Sequence, residues 1–360
     1  MRLNQLTFFR FLAAILVVAF HFGRETFPFN LPTSALFVEI LSSMVSFFFL
    51  LSGFVLAVSN FDKAKILKKE FYFNRFIRIY PLYIIALLVY FLSRGLNDIS
   101  AKELIMNLSL TQALFSDNAL SLNYPGWSLS AEACFYLLFP FVFSLLMQKT
   151  SKLIAIICGA FWVLSMSVYA LSLDVWQIPI SYATYFPAYH LSTFVLGVGA
   201  GLVFCRHKEV INQMKTYLCW TTVALAGTAI ALVLLKSPII RYHHSGLFNP
   251  LFLSTILLFS IECAPLKALL SSRILVFLGE ISYGIYILQY SLWCLFFSVA
   301  GRLNLALLTN FYVCTAALIA GSAGSYFLIE KPAVFYFKTW RRGSKQTQQV
   351  DSLELVTSVN

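Results

Sequence analysis

Arg10 and His21 stand eleven positions apart in the first apolar stretch of the chain. Eleven residues make three turns of an α-helix, so the two side chains share a face, about 16 Å apart along the axis. A guanidinium recognises anions and an imidazole is the commonest general base. An ionisable group inside a membrane span costs about 2.5–3.5 kcal/mol to insert, which makes such groups functional candidates. The competing readings are snorkelling of Arg10 to the headgroups and an interfacial His21 without chemistry.

Further candidates lie along the chain. In FYFNRFIRIYPLY (71–83), Arg75 and Arg78 are three apart on one helix face and suit a phosphate-bearing ligand; the alternative is anchoring to the inner headgroups beside Lys68 and Lys69. In NYPGWSLSAEACFY (123–136), Pro125-Gly126 marks a turn, Ser128 or Ser130 is placed to cap the next helix, and Glu132 falls in its first turns. That position alone favours a carboxylate, but one at the depth of His21 would also orient the imidazole. In GEISYGIYILQ (279–289), Ser282, Tyr283, Tyr286 and Gln289 form a polar stripe, which interhelical hydrogen bonding also explains. Glu330-Lys331-Pro332 has the form of a helix stop. No metal-ligand cluster, phosphate-binding loop or dinucleotide fingerprint is present.

The elements that must position these residues are membrane helices. Of 360 residues, 59% are hydrophobic and 11% charged, against about 25% charged in soluble domains. Apolar stretches of bilayer length recur throughout and do not alternate as barrel strands would. The expected fold is all-α and polytopic, with about ten spans near 6–24, 35–58, 77–93, 128–147, 153–171, 188–205, 217–235, 247–263, 274–300 and 306–329. The first holds Arg10 and His21 and lacks the features of a cleaved signal peptide. With both termini inside, the inner segments collect most of the basic residues. They include Lys63, Lys65, Lys68, Lys69, Lys149, Lys152, Arg206, Lys267, Lys331, Lys338, Arg341, Arg342 and Lys345; the outer loops keep Arg24, Arg94, Lys102, Lys236, Arg241 and Arg302. This bias predicts an N-in, C-in topology. It also accounts for the net charge of +11 without nucleic acid.

Residues 1–335 form one transmembrane domain, and 336–360 a basic cytoplasmic tail whose composition predicts disorder. In the outer loop 94–127, Leu104–Phe115 is too short to span and predicts an interfacial or re-entrant helix. Gly197, Gly199 and Gly201 permit close helix packing. Asn107-Leu108-Ser109 matches a glycosylation sequon, a pattern common by chance. The seven cysteines, Cys263 among them, suggest packing hydrophobes rather than a zinc site or disulfide frame.

Six motifs occur together and in order: FFRFLAAILVVAFHF (8–22), FFFLLSGFVLA (47–57), FNRFIRIYPLY (73–83), YPGWSLSAEACFY (124–136), LGEISYGIYILQ (278–289) and IEKP (329–332). In these the chain resembles the membrane-bound acyltransferase family 3, which includes bacterial O-antigen, exopolysaccharide and nodulation-factor O-acyltransferases. The resemblance implies a multi-pass protein of the bacterial cytoplasmic (inner) membrane. It would move an acyl group, most often acetyl, from cytoplasmic acetyl-CoA to a hydroxyl of an extracytoplasmic polysaccharide or glycolipid. Arg10 and His21 would be the essential pair of the first helix, Arg75 and Arg78 the donor-binding motif, and Trp127, Ser128 and Glu132 the W-S-x-x-x-E element. Phe11 stands where many members have glycine. Gln289 stands where many have histidine, so no catalytic role is assigned to it.

The expected mechanism places the CoA phosphates at Arg75 and Arg78 and the pantetheine arm past Arg10. Trp127, Ser128, Ser130, Ser282, Tyr283 and Tyr286 would line the substrate channel. His21 would act as general base with Glu132 orienting it, or form an acyl-histidine first. A transporter of sugars or lipid-linked glycans would use the same charges to line a pathway, and a scaffold would use the polar face for helix contacts.

Overall fold

A computed structural model describes residues 4–63, 66–95, 99–261, 269–337 and 339. Lys65, Cys263, Lys267, Lys338 and most of the tail 336–360, with Arg341, Arg342 and Lys345, lie outside the described residues. The described elements are helical, with no strand among them. The chain is an all-α polytopic membrane protein: among the described residues nine helices are long and apolar enough to cross a bilayer, and Asn249–Ser260 is a shorter apolar helix.

The helices are α1 (Asn4–Phe22), α2 (Pro32–Val38), α3 (Met44–Asn60), α4 (Lys68–Arg94), α5 (Ala101–Leu108), α6 (Gly126–Met147), α7 (Ser151–Asp174), α8 (Ile180–Tyr185), α9 (Ala188–Arg206), α10 (Lys208–Gln213), α11 (Lys215–Leu234), α12 (Asn249–Ser260), α13 (Arg273–Glu280), α14 (Ser282–Leu303) and α15 (Phe311–Ser325). The spanning helices are largely apolar, as required where one face meets lipid and the other the bundle, and α4 carries its charged residues in its first three turns and at its last residue, Arg94. The span Pro32–Asn60, which contains α3, is 67% buried in its most apolar window, and the α9 span is 61% buried. These two form the centre, whereas α7 and α11, at 17% and 11%, lie at the periphery.

Glycine sets the distance between α3 and α9. A Cβ on Gly53 would lie 2.2 Å from the Phe194 carbonyl oxygen, and one on Gly197 would lie 2.1 Å from that of Leu50. Gly201 faces the Phe54 carbonyl, while Gly199 faces Cys158 Sγ on α7, so the glycine run predicted to aid packing serves two neighbours. On α13, a Cβ at Gly279 would meet the Thr7 carbonyl oxygen at 1.9 Å, which holds α13 directly on α1.

Several boundaries differ from the sequence expectation. The expected span 274–300 is divided at Ile281 into α13 and α14. Ser282 Oγ donates to the Gly279 carbonyl at 2.7 Å, a local bond that competes with the helical ladder. The expected span 35–58 contains a 3-10 turn, Glu39–Ser43, ahead of α3. Helix α4 begins at Lys68 rather than 77, so Arg75 and Arg78 lie within it rather than at its mouth. At the far end, Glu330-Lys331-Pro332 is not a stop. Tyr326–Glu330 forms a π-helical turn and the helix continues to 337. The wider turn accommodates Pro332, which has no N–H to give to the ladder.

In the outer-loop segment, α5 begins with a capping box, Ser100 and Glu103 each bonding the other's backbone N–H. The Ser100 hydrogen bonds hold the Glu103 carboxyl below its ordinary pKa. The expected helix over Leu104–Phe115 ends at Leu108, because Leu110 adopts φ 55° and two short 3-10 turns follow. The Asn107 side chain is buried. It donates to the Glu103 carbonyl and to Ser121 Oγ, and accepts from the Tyr83 hydroxyl at 3.2 Å, so the sequon is occupied by structure.

Candidate active site

Helices α1, α3, α4, α6 and α14 surround two adjoining cavities. The larger, about 710 Å³, lies where α1 and α4 begin and α15's extension ends. Its lining includes Arg10, Asn74, Arg75, Arg78, Tyr283, Glu330 and Lys331. The smaller, about 250 Å³, runs deeper and is lined by Arg10, Arg75 and Arg78 with Ser52, Ser128, Glu132, Tyr136, Ser282, Tyr283 and Tyr286. Arg10, Arg75, Arg78 and Tyr283 line both and so form the junction. Tyr283 is fixed there by donating to the Ile79 carbonyl at 2.6 Å.

Three guanidiniums thus converge from two helices. The ion pairs among the described residues are Arg24–Glu39 and Arg241–Asp174, so none of the three is paired. Arg75 stands over the Phe71 and Tyr136 rings at 5.9 and 5.8 Å, yet its Nε is buried without a hydrogen-bond partner. Glu330 Oε1, in the lining of the same larger cavity, is likewise buried and unpartnered. Buried polar groups are normally satisfied. Three guanidiniums around a cavity, one with a buried, orphaned Nε, make an arrangement that a multiply charged anion can complete.

Glu132 belongs to this cavity rather than to His21. Its Oε1 accepts from Ser52 Oγ at 2.9 Å and from the Tyr136 hydroxyl. His21 lines neither cavity. The expectation that Glu132 orients His21 is therefore corrected, and the reason is depth. Glu132 lies six residues inside α6, about 9 Å along its axis, whereas His21 is the penultimate residue of α1. His21 is exposed at that end, and its Nδ1 lies 3.1 Å from Gln289 Oε1 of α14.

The remaining candidates separate by helix face. Ser128 does not cap α6, which begins at Gly126 after Pro125. Ser128 Oγ donates to the Pro125 carbonyl and accepts from the Tyr286 hydroxyl, each at 2.8 Å, and both residues line the smaller cavity. Ser282 and Tyr286 line that cavity. Trp127 and Ser130 line neither cavity. Trp127 packs on Phe49, Tyr185 and His190 of α3, α8 and α9, and Ser130 Oγ accepts from the Ala113 N–H at 3.3 Å, which ties the loop before α6 to that helix. The sequence offers no signal for Ser52, and none for Tyr136 beyond its place one turn past Glu132 on the same face. It places Gln289 in the polar stripe without a catalytic role.

The family model for the acyltransferase domain (acyltransferase family 3) matches residues 3–330. Acyltransferase MdmB of Streptomyces mycarofaciens is 29% identical over 321 residues, which cover 80% of this chain and 78% of that protein. No solved structure matches. Since the match runs through every helix that builds the cavities, this multi-pass membrane protein belongs to the membrane-bound acyltransferase family 3 and is an acyltransferase.

Proposed function

We propose that the protein transfers an acyl group, acetyl in the simplest case, from acyl-CoA on the cytoplasmic side to a hydroxyl of a polysaccharide or glycolipid on the other. The setting is the bacterial cytoplasmic membrane, with both chain ends inside. The observation that carries this reading is the trio of unpaired arginines at the junction of the two cavities. The donor set fits the phosphates of CoA: Arg10, Arg75 and Arg78 present forked N–H groups, and one of them is orphaned without a ligand. Acyl-CoA supplies the activated thioester; the protein supplies charge, a path and a base.

Arg75 and Arg78 hold phosphate at the larger cavity, and Arg10 screens the chain of the ligand as it enters the smaller one. Glu132, kept by Ser52 and Tyr136, balances the arginine charge there. Tyr286 turns away from Ser128 to let the acyl end pass. One helical turn further along α14, Gln289 holds His21, whose imidazole takes the proton of the acceptor hydroxyl as its oxygen attacks the thioester carbonyl. The C–O bond forms, the C–S bond breaks, and the proton passes to the departing thiolate.

Membranes containing the protein, supplied with labelled acetyl-CoA, are expected to label a surface glycan, and mild base to release that label as from an ester. Export of an unmodified glycan without consumption of acetyl-CoA would reject the reading in favour of transport. At the donor site, replacing Arg75 and Arg78 together by alanine is expected to weaken acetyl-CoA binding roughly 100-fold, since a hydrogen bond to a charged group contributes about 1.5–3 kcal/mol. Calorimetric titration of solubilised, monodisperse protein checks this, and an unchanged affinity would remove the phosphate role.

A further inference from the structure

Gln289 is fully buried on α14, and both ends of its amide are committed. Its Nε2 donates to the Tyr286 carbonyl at 2.8 Å. A carbonyl oxygen can only accept, so the NH₂ group must stand on that side and Oε1 on the other. Oε1 faces His21 Nδ1 at 3.1 Å and can likewise only accept. Nδ1 must therefore carry the hydrogen, and in the neutral ring the lone pair is left on Nε2. Nε2 has no hydrogen-bond partner among the described residues, and the side chain is exposed.

We propose that Gln289 is the positioning residue of this acyltransferase: it fixes the Nδ1–H tautomer of His21 and so keeps Nε2 as the base toward the acceptor. The proposal rests on the reading of His21 as base for its consequence in rate, but not for the tautomer itself. An amide does here what a carboxylate does in a hydrolytic triad, without the charge. It also holds in both protonation states, because imidazolium still donates from Nδ1 and the Tyr286 carbonyl prevents the amide from flipping. Tyr286 thus has two contacts of consequence, its hydroxyl on Ser128 at the cavity and its carbonyl on the amide that holds the base.

The charged groups near this ring are few. Arg24, three residues on, pairs with Glu39 of the 3-10 turn packed on α1 at 2.8 Å. Helix α14 carries one formal charge, Arg302, at its far end. The orientation of His21 therefore depends on the amide rather than on a neighbouring carboxylate.

The test uses the full-length protein in membranes. Gln289→Leu keeps the volume and removes the acceptor. It is expected to lower kcat roughly 10–100-fold with the KM for acetyl-CoA unchanged, less than the ~10⁴-fold seen where the orienting group is a carboxylate. Gln289→Glu restores an acceptor and is expected to recover much of the rate. Its acid limb should move to higher pH, because a carboxylate favours imidazolium and the base is then freed only as pH rises. Independently of activity, ¹⁵N spectra of histidine-labelled protein, assigned by comparison with His21→Ala, should show Nδ1 protonated and Nε2 bare at neutral pH. In Gln289→Leu that pattern should give way to a mixture. A bare Nδ1 in the wild-type spectrum would overturn the tautomer assignment whatever His21 does. Wild-type kcat in Gln289→Leu would overturn the positioning role. If His21→Ala retained transfer while the spectra matched, the base assignment would fail and the tautomer assignment would stand.

Discussion

Replacing His21 by alanine is expected to lower acyl transfer by roughly 10²–10⁴-fold, the range that a positioned general base contributes. The loss should fall on kcat. His21 lines neither arginine cavity, so acetyl-CoA should bind the variant with wild-type affinity. Little structural cost is expected, because the imidazole is exposed and makes one side-chain hydrogen bond, to Gln289. Thermal transitions of solubilised wild type and variant should therefore nearly coincide, which separates lost chemistry from lost fold. Arg10→Ala should behave differently. Arg10 lies at the junction of both cavities with two other cations, so its loss should raise KM for the donor as well as slow turnover. Transfer by His21→Ala within threefold of wild type, at matched protein levels, would remove the imidazole from the mechanism.

Much of this arrangement can be derived from residue types and spacing. Apolar stretches of bilayer length fix the class of fold, and arginines three apart on a basic helix entering the membrane indicate an anion site. The convergence of Arg10 with Arg75 and Arg78 follows from both helices starting at the same end of the bundle. The partners of His21 and Glu132 do not follow, because they depend on the relative depth at which different helices sit in the bundle. An offset of a few residues there decides which side chains meet. The W-S-x-x-x-E element shows what periodicity can still give. Ser128, Glu132 and Tyr136 are successive fourth residues and face the cavity together, whereas Trp127 and Ser130 point elsewhere in the same motif. The resemblance, which implies a histidine at this position, gives Gln289 no role. Its role comes from a carbonyl one turn away, and no residue type announces that contact.

The central helix pair gives the sharpest structural prediction. Gly53 and Gly197 sit reciprocally, each glycine against a backbone carbonyl of the other helix, with room for a Cβ only at 2.2 and 2.1 Å. A backbone atom cannot turn aside as a flexible side chain can, so even alanine must push α3 and α9 apart along their length. Over-packing a tight core costs about 1–3 kcal/mol where side chains can adjust; with carbonyls on both sides the cost should reach the top of that range or exceed it. Gly197→Ala is therefore expected to lower the melting temperature of the solubilised protein markedly, and Gly53→Ala with Gly197→Ala to prevent recovery of monodisperse protein. Gly159→Ala and Gly227→Ala are the controls, since nothing lies within 4 Å of a Cβ at either position, and both should leave the transition unmoved. Size-exclusion chromatography after heating measures all four. A Gly197→Ala protein as stable as Gly159→Ala would mean that the helices are not in contact as described. The same displacement should reach the chemistry, because Ser52 is the neighbour of Gly53 and donates across to Glu132 at 2.9 Å. An outward shift of α3 by one ångström would break that bond and leave the Glu132 carboxylate less firmly held among the arginines. Any surviving Gly53→Ala protein should accordingly bind acetyl-CoA differently from wild type, while a comparably destabilised variant elsewhere in the bundle would not.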